Sequence, residues 1–456
     1  MNTKLAPAKR TAFIATLLIG TFSMSISQSS LSTAYPAFMR TFHLGSDTVA
    51  WLTTGFMLVM TLMIPVSPWL LHNVPFKRLF QAIEIIFALG TALCVWAPSF
   101  TVLMSGRLLE AVAVGVIFPS YQTVLLAITS ENQRGSVMGT AGLVMGSALA
   151  VGPIISGVLL TWFPWQALFI FFLLVALCVL AASTVTIQSV IPHTPSRLDW
   201  VAVILVASFP LLLYTLTVMA KEGLTPRTML LLIVGLFMAV AFISRELRGK
   251  HPMLQLRVFT KGIFTKAVLM TGISYIALIV TTILMPLYFQ TYLHVTPLVS
   301  GVSLVPAAVM LSIMNPISGR MLDAFGPRRV SVVGMVLIVV GFGLLAILAP
   351  HLNLFGAIML AVCTEVGNAF VMMPAVTAGA NDLPAKWLAD GTAVTTTCRQ
   401  LFGSAGVLLA TVALTLAQTH LHSVVGGFAV AFGIFAVIGV AGLLLAMTLP
   451  GKRNAA

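Results

Sequence analysis

Charge is what this 456-residue chain has least of: only 8% of its residues are Asp, Glu, Lys or Arg, against 59% that are hydrophobic. A water-soluble surface needs roughly 25% charged residues, so a soluble fold is excluded and lipid must cover most of the outside. Acids are scarcer than bases, 11 against 24, which leaves a net charge of +13. That surplus comes from missing acids and not from a basic stripe, and no zinc or RNA-binding signature accompanies it, so nucleic acid is not an expected partner. Cysteine is rare too. Cys94, Cys178, Cys363 and Cys398 all fall inside apolar runs and read as small buried hydrophobes, not as a disulfide framework. The eight histidines lie in loops or at helix ends, which offers no metal cage. No Walker-type phosphate cradle occurs, so neither ATP nor another cofactor is expected, and nothing suggests an enzyme.

What the chain does have is long apolar runs. A bilayer core takes about 20 such residues per helix. Segments of that kind lie near 12–36, 48–71, 79–97, 101–126, 136–160, 165–187, 200–219, 228–244, 264–289, 298–318, 330–349, 354–378, 392–418 and 425–448, fourteen in all. The fold class read from this is an all-α membrane protein. Lys4, Lys9 and Arg10 precede a first run too long for a secretory signal, which therefore reads as a membrane helix. Pro65, Pro119, Pro153, Pro210, Pro306 and Pro374 lie within runs, as lipid-embedded helices tolerate.

Loop charge predicts the orientation. With both termini cytoplasmic, 19 Lys and Arg fall inside and only Arg40, Lys221 and Arg227 outside, while Arg107 and Arg399 lie within the membrane. The chain also repeats. Pro65-Val66-Ser67 before Lys77-Arg78 matches Pro316-Ile317-Ser318 before Arg328-Arg329 at an offset of 251 residues. Pro36-Ala37-Phe38 matches Pro286-Leu287-Tyr288 at 250. The predicted organisation is a six-helix half over 1–190, an inserted helix pair over 191–250 that packs at the periphery, and a second six-helix half over 251–456. Parallel repeats about an axis along the membrane normal are known from transporters.

Several stretches carry a more specific likeness: Trp51-Leu-Thr-Thr-Gly-Phe-Met-Leu, Gly90-Thr-Ala-Leu-Cys-Val-Trp-Ala-Pro98, Pro252-Met-Leu-Gln-Leu-Arg-Val-Phe259, Pro286-Leu-Tyr-Phe-Gln290 and Arg399-Gln-Leu-Phe-Gly403. Together they resemble the fourteen-helix drug:proton antiporters of the major facilitator superfamily, the branch with Gram-positive exporters of lincomycin and quaternary ammonium compounds. The likeness implies the major facilitator fold. It also implies an antiporter motif on the fifth helix, which here reads Gly139, Ala148, Gly152-Pro153, Ser156-Gly157. Gly142, Gly146 and Ala150, at four-residue spacing, would let another helix approach closely there, and Pro153 would bend the backbone. The family's cytoplasmic gating motif is kept in the second half as Gly319-Arg320-Met-Leu-Asp323-Ala-Phe-Gly326-Pro-Arg328-Arg329, where a carboxylate beside arginines implies a charge latch. In the first half His72 stands in place of the aspartate, and Pro68 and Pro75 in place of the glycines. The aspartate that many relatives carry in helix 1 is Ser27 here, next to Gln28.

An ionisable group at mid-bilayer costs about 2.5–3.5 kcal/mol on insertion scales, so each is a functional candidate. Three carboxylates lie within segments: Glu84, Glu110 and Glu365. Glu110 lies about 14 Å below the outer end of its helix at 1.5 Å per residue, and Arg107 shares its face. Glu365 has no basic neighbour in its own helix, only Thr364 and Asn368. Glu84 shares a face with Lys77 and Gln81 on a peripheral helix and reads as structural. Glu110 precedes Pro119, and Glu365 precedes Pro374, by the same nine residues, so the repeat places both acids at one depth on opposite walls of a central cavity. Ser27, Gln28, Arg107, Glu110, Glu365 and Asn368 are the expected cavity residues. Glu365 and Glu110 are the expected proton-coupling carboxylates, with Glu365 taking up and releasing the coupling proton and Glu110 also attracting cationic substrate.

The expected function is proton-coupled multidrug efflux of amphipathic, often cationic molecules by alternating access. The expected partners are a small-molecule substrate, protons and the lipid bilayer, at the plasma membrane of a bacterium, with a monomer as the working unit. A dedicated exporter of one endogenous metabolite, lipid or antibiotic is the alternative.

Overall fold

A backbone in lipid must satisfy its polar groups internally, and for apolar runs of this length the helix does so. In a computed structural model the chain is described over residues 7–192, 195, 198–249, 252–421 and 423–451, and among these there is helix but no strand. Fourteen helical stretches are long and apolar enough to cross a membrane, the number counted from sequence. Lys4, Lys452, Arg453 and the boundary expected at 250 and 251 lie outside the described residues.

The first bundle holds α1 (Pro7–Phe42), α2 (Ser46–Met63), the short α3 (Ser67–Asn73), α4 (Phe76–Val95), α5 (Phe100–Ile128), α6 (Arg134–Trp162) and α7 (Gln166–Thr186). Next come α8 (Trp200–Val206), α9 (Ser208–Glu222) and α10 (Pro226–Arg248). The second bundle holds α11 (Gly262–Thr291), α12 (Pro297–Val302), α13 (Val305–Phe325), α14 (Pro327–Leu348), α15 (Leu354–Asn381), α16 (Leu388–Leu421) and α17 (Val424–Met447). Helices α8 and α9 share one span, and α12 and α13 another.

The prolines divide into two kinds. Pro119, Pro153 and Pro374 lie within continuous helices, as expected. Pro65, Pro210 and Pro306 sit at breaks instead. The run expected to continue over 48–71 turns at residues 64–66, so α3 is separate from α2. Pro210 and Pro306 fall in the first turns of α9 and α13, just after breaks at Ala207 and at Ser303 and Leu304. A missing N–H leaves nothing unpaired in a first turn, whereas inside a helix it removes a bond and adds a clash.

An even number of spans brings the start of α1 and the end of α17 to one end of the molecule, called the base here; the opposite end is the mouth. The two bundles meet along α6 and α13. Gly139 and Gly319 face each other there, and a side chain on either would run into the other helix's backbone. Gly142 and Gly146 continue the stripe against Asn315 and Ser312. The base-side halves of α5, α15 and α16 are buried almost without interruption, over Ala113–Leu126, Gly367–Ala380 and Leu388–Thr397. The bundles are closed on each other at the base.

Helix α9 packs against α2 and α16, one helix from each bundle, with Trp51 and Tyr214 rings 6.0 Å apart. Helix α10 lies outside it and leaves Leu230, Ile233 and Phe237 exposed. The pair expected at the periphery therefore has an outer helix and one that spans the seam. Arg245 at the end of α10 donates to Asp199 at 2.7 and 3.0 Å, and this guanidinium holds the Asp199 carboxyl below its ordinary range. Glu246 accepts from Leu254 N at 2.9 Å, and Asp390 in the first turn of α16 accepts from Gln255 N at 2.8 Å. Two buried acids thus strap the 252–258 segment between α10 and α16.

Candidate transport and gating site

Three elements of the first bundle enclose its arginine. Gly90 and Gly106 let the backbones of α4 and α5 touch, which brings Thr91 beside Glu110. Arg107 and Glu110, one turn apart on α5, form an ion pair. Ser27 of α1 accepts from Arg107 at 3.1 Å and lies 3.4 Å from Glu110 Oε2, and Thr91 donates to Glu110 Oε1 at 2.8 Å. The Phe56 ring of α2 lies 4.4 Å from the guanidinium. Relative exposures of 2% for Ser27, 1% for Arg107 and 0% for Glu110 decide what this cluster can do. Ser27, Arg107 and Glu110, expected at the cavity, are packed here against Thr91 of α4 and Phe56 of α2 in their own bundle, with Glu110 paired to Arg107.

In the second bundle the matching contact lacks a cation. Asn368 donates to Glu365 Oε2 at 3.1 Å, and Ser274 of α11 donates to Asn368 Oδ1 at 2.7 Å. Glu365 is 5% exposed and Asn368 fully buried. The repeat holds in this sense: each acid sits where the first and fourth long helices of its bundle meet. Gln28 is half-buried on α1. The two carboxylates are not brought together.

Glu84 is fully buried on α4, whose other face exposes Ile85, Leu89 and Leu93. Its carboxyl packs against Gly20 of α1 and finds no hydrogen-bond partner, while Lys77, expected beside it, donates to the Thr184 carbonyl.

The residues expected to gate lie at the base. Asp323 accepts from Gly135 N at 2.9 Å, Ser136 N at 2.7 Å and Ser136 Oγ at 2.6 Å. The latch expected between this carboxylate and arginines is instead a cap on the N-terminus of α6 in the other bundle. Free N–H groups and the helix dipole make that end a natural anion site. Gly326, with φ of 81°, ends α13 just beyond, in a conformation that favours glycine, and Arg328 and Arg329 open α14. Arg134 donates to Asn381 at 2.6 Å, and Thr123 meets Thr392 at 2.6 Å. Of the expected antiporter motif, Gly139 faces α13, Gly152 meets Ser29 of α1, Pro153 lies inside α6, and Gly157 has open space where a side chain would be. Sequence reasoning did not single out Thr91, Ser136, Glu246 or Asp390. Thr91 lay within the Gly90–Pro98 stretch, but nothing in one sequence aligns α4 against α5.

Comparison with known proteins agrees with this architecture. A family profile described as Major Facilitator Superfamily matches residues 17–407. The MFS-type transporter YcnB of Bacillus subtilis is 34% identical, over 100% of this chain and 99% of its own length. The lincomycin resistance protein LmrB of the same organism is 31% identical, over 89% of this chain and 85% of its own. The solved structure of the human organic anion transporter MFSD10 superposes with a TM-score of 0.72 over 97% of this chain and 100% of that one, and at 13% identity it speaks for the fold alone. With fourteen spans, two bundles and a profile matched along most of its length, this chain is a membrane transporter that belongs to the major facilitator superfamily.

Proposed function

We propose that the chain is a proton-coupled antiporter that exports amphipathic small molecules from the bacterial cell by alternating access. Its halves are residues 1–190 and 251–456, with the pair at 191–250 between them. The base faces the cytoplasm, because 19 of the 24 Lys and Arg belong to its side. A single chain forms the working unit.

The observation that carries this reading is Glu365. It is a buried carboxyl within a span whose side-chain partner is an amide and not a cation, so a proton can come and go there without breaking an ion pair. Asp323 supplies the second half of the mechanism. Its cap on α6 holds the base shut, and breaking it opens the cavity to the cytoplasm. The Arg107–Glu110 pair serves as a fixed strut. The name of the lincomycin resistance relative supports export of drug-like compounds.

The test uses reconstituted vesicles without nucleotide and an imposed pH gradient. Wild-type protein should concentrate substrates identified by a resistance panel in an efflux-deficient host, and a protonophore should abolish this. Glu365→Gln should lose uphill transport of every substrate while keeping downhill exchange. A Glu365→Gln protein that still concentrates substrate overturns the assignment.

A further inference from the structure

Of the two arginines inside the membrane, one has its counterion and the other does not. Arg399 lies on α16 seven residues beyond Thr392, which meets Thr123 of α5 across the base. Seven helical residues rise about 10 Å, so Arg399 stands on the mouth side of the closure, above its floor. Its guanidinium lies 5.2 Å from the Tyr275 ring of α11, and Tyr275 donates to the neighbouring Gln400 at 3.0 Å. Arg399 therefore turns toward α11, where its guanidinium meets the Tyr275 ring above the closed base.

Among the described residues no carboxylate pairs with it. Both ion pairs found among the described residues, Arg107–Glu110 and Arg245–Asp199, involve other arginines. Arg399 Nε is buried without a hydrogen-bond partner, although the side chain as a whole is only half-buried. It lies in the middle of a span, too far from either end to reach water along its own helix. Membrane-embedded cations are costly and almost always paired. A half-buried guanidinium set against a ring face, with an unsatisfied Nε, is suited to take a partner from outside the chain. The planar fork matches a carboxylate bidentately, which a point charge would not.

We propose that Arg399 is an anion-binding residue on the mouth side of the closed base, and that the substrates include amphipathic monocarboxylates seated against the Tyr275 ring. The proposal rests on the exporter reading only for what happens after binding. The carboxylate docks on the guanidinium, and the apolar body lies along the Tyr275 ring. Arg399 then separates substrate recognition from the proton site at Glu365.

The experiment measures binding first, on the full chain in nanodiscs of neutral phosphatidylcholine. The probes are pyrenebutyrate, its neutral amide and its trimethylammonium analogue. Wild-type protein should bind the carboxylate at least tenfold more tightly than the amide. Arg399→Gln should erase that preference and leave amide affinity unchanged, which also reports that the variant is folded. Arg399→Lys should keep part of the preference, with weaker affinity, because charge remains without the fork. Wild-type protein that binds carboxylate no better than amide overturns the proposal. So does an Arg399→Gln variant that keeps the preference, or one that loses all three probes while Arg399→Lys does the same. Counterflow of pyrenebutyrate in vesicles is measured separately. Selective binding without counterflow refutes the exporter reading and leaves the anion site standing.

Discussion

Asp323 on α13 caps the first turn of α6 in the opposite bundle, accepting from Gly135 N at 2.9 Å and Ser136 N at 2.7 Å. The contact joins a side chain of one bundle to the backbone of the other, so it exists only while the base is shut. Around it Gly135 and Gly319 bring the backbones together so closely that a side chain on either would strike the other helix. Capping interactions of this sort contribute about 0.5–2 kcal/mol, with a similar effect of charge at a helix terminus.

Asp323→Ala should therefore shift the molecule toward a base-open state by about two- to thirtyfold, the Boltzmann factor of that energy. Thr123 and Thr392 provide the reporter, since their hydroxyls lie 2.6 Å apart across the seam. In a Thr123→Cys, Thr392→Cys background the pair should cross-link readily, and adding Asp323→Ala should slow cross-linking severalfold. Unchanged cross-linking would mean that the glycine seam alone holds the base.

Much of this fold was legible from composition and run length, because twenty uncharged apolar residues have few other destinations. The pairing of Arg107 with Glu110 was legible from their three-residue spacing. Its enclosure was not, since Thr91 and Ser27 come from other helices whose relative rotation no single sequence encodes. The true partner of Asp323 was hidden for a different reason. Arginines stand out in a sequence, whereas the free N–H groups at a helix start belong to every helix and leave no residue signature. Pro65 misled because a proline inside a run looks the same whether it kinks a helix or ends one.

Gly20 and Glu84 form a pair whose sizes constrain each other. The glycine leaves the space that the carboxyl fills, and a side chain there would meet Glu84 Oε1. Gly20→Ala should destabilise the protein by about 1–3 kcal/mol, the usual range for overpacking. Glu84→Ala should recover most of that loss in the double variant. Thermal unfolding in detergent measures both, and additive losses would deny the coupling.

The Arg107–Glu110 strut should respond asymmetrically to removal of one or both members. Taking away one partner of a buried pair leaves an uncompensated charge and costs about 3–5 kcal/mol. Replacing both with apolar residues of similar size is often close to neutral. Arg107→Leu alone should therefore lower thermal stability severely, and Arg107→Leu with Glu110→Leu should restore much of it. If the double variant is stable and still exports its substrates, the pair is a strut and not a proton carrier. Loss of uphill transport in a stable double variant would return Glu110 to the coupling machinery.

His72 tests the asymmetry between the two halves. By the repeat it stands 251 residues before Asp323, where a carboxylate would cap α16 as Asp323 caps α6. Helix α16 instead has its own acid in the first turn, Asp390, which accepts from Gln255 N at 2.8 Å. Burial pushes the His72 imidazole below its ordinary value of 6.5. The folded protein thus binds fewer protons at this site than the unfolded chain does. Stability is accordingly full above the unfolded value and falls as pH drops below about 6.5, because only the unfolded state gains the proton readily. His72→Asn should remove this component, so its melting temperature should fall less than wild type between about pH 8 and pH 5, the range in which histidine titrates. Transport at neutral pH should be unchanged, since an uncharged ring contributes no latch. A variant that loses transport at neutral pH would show that His72 gates the first half despite lacking a charge.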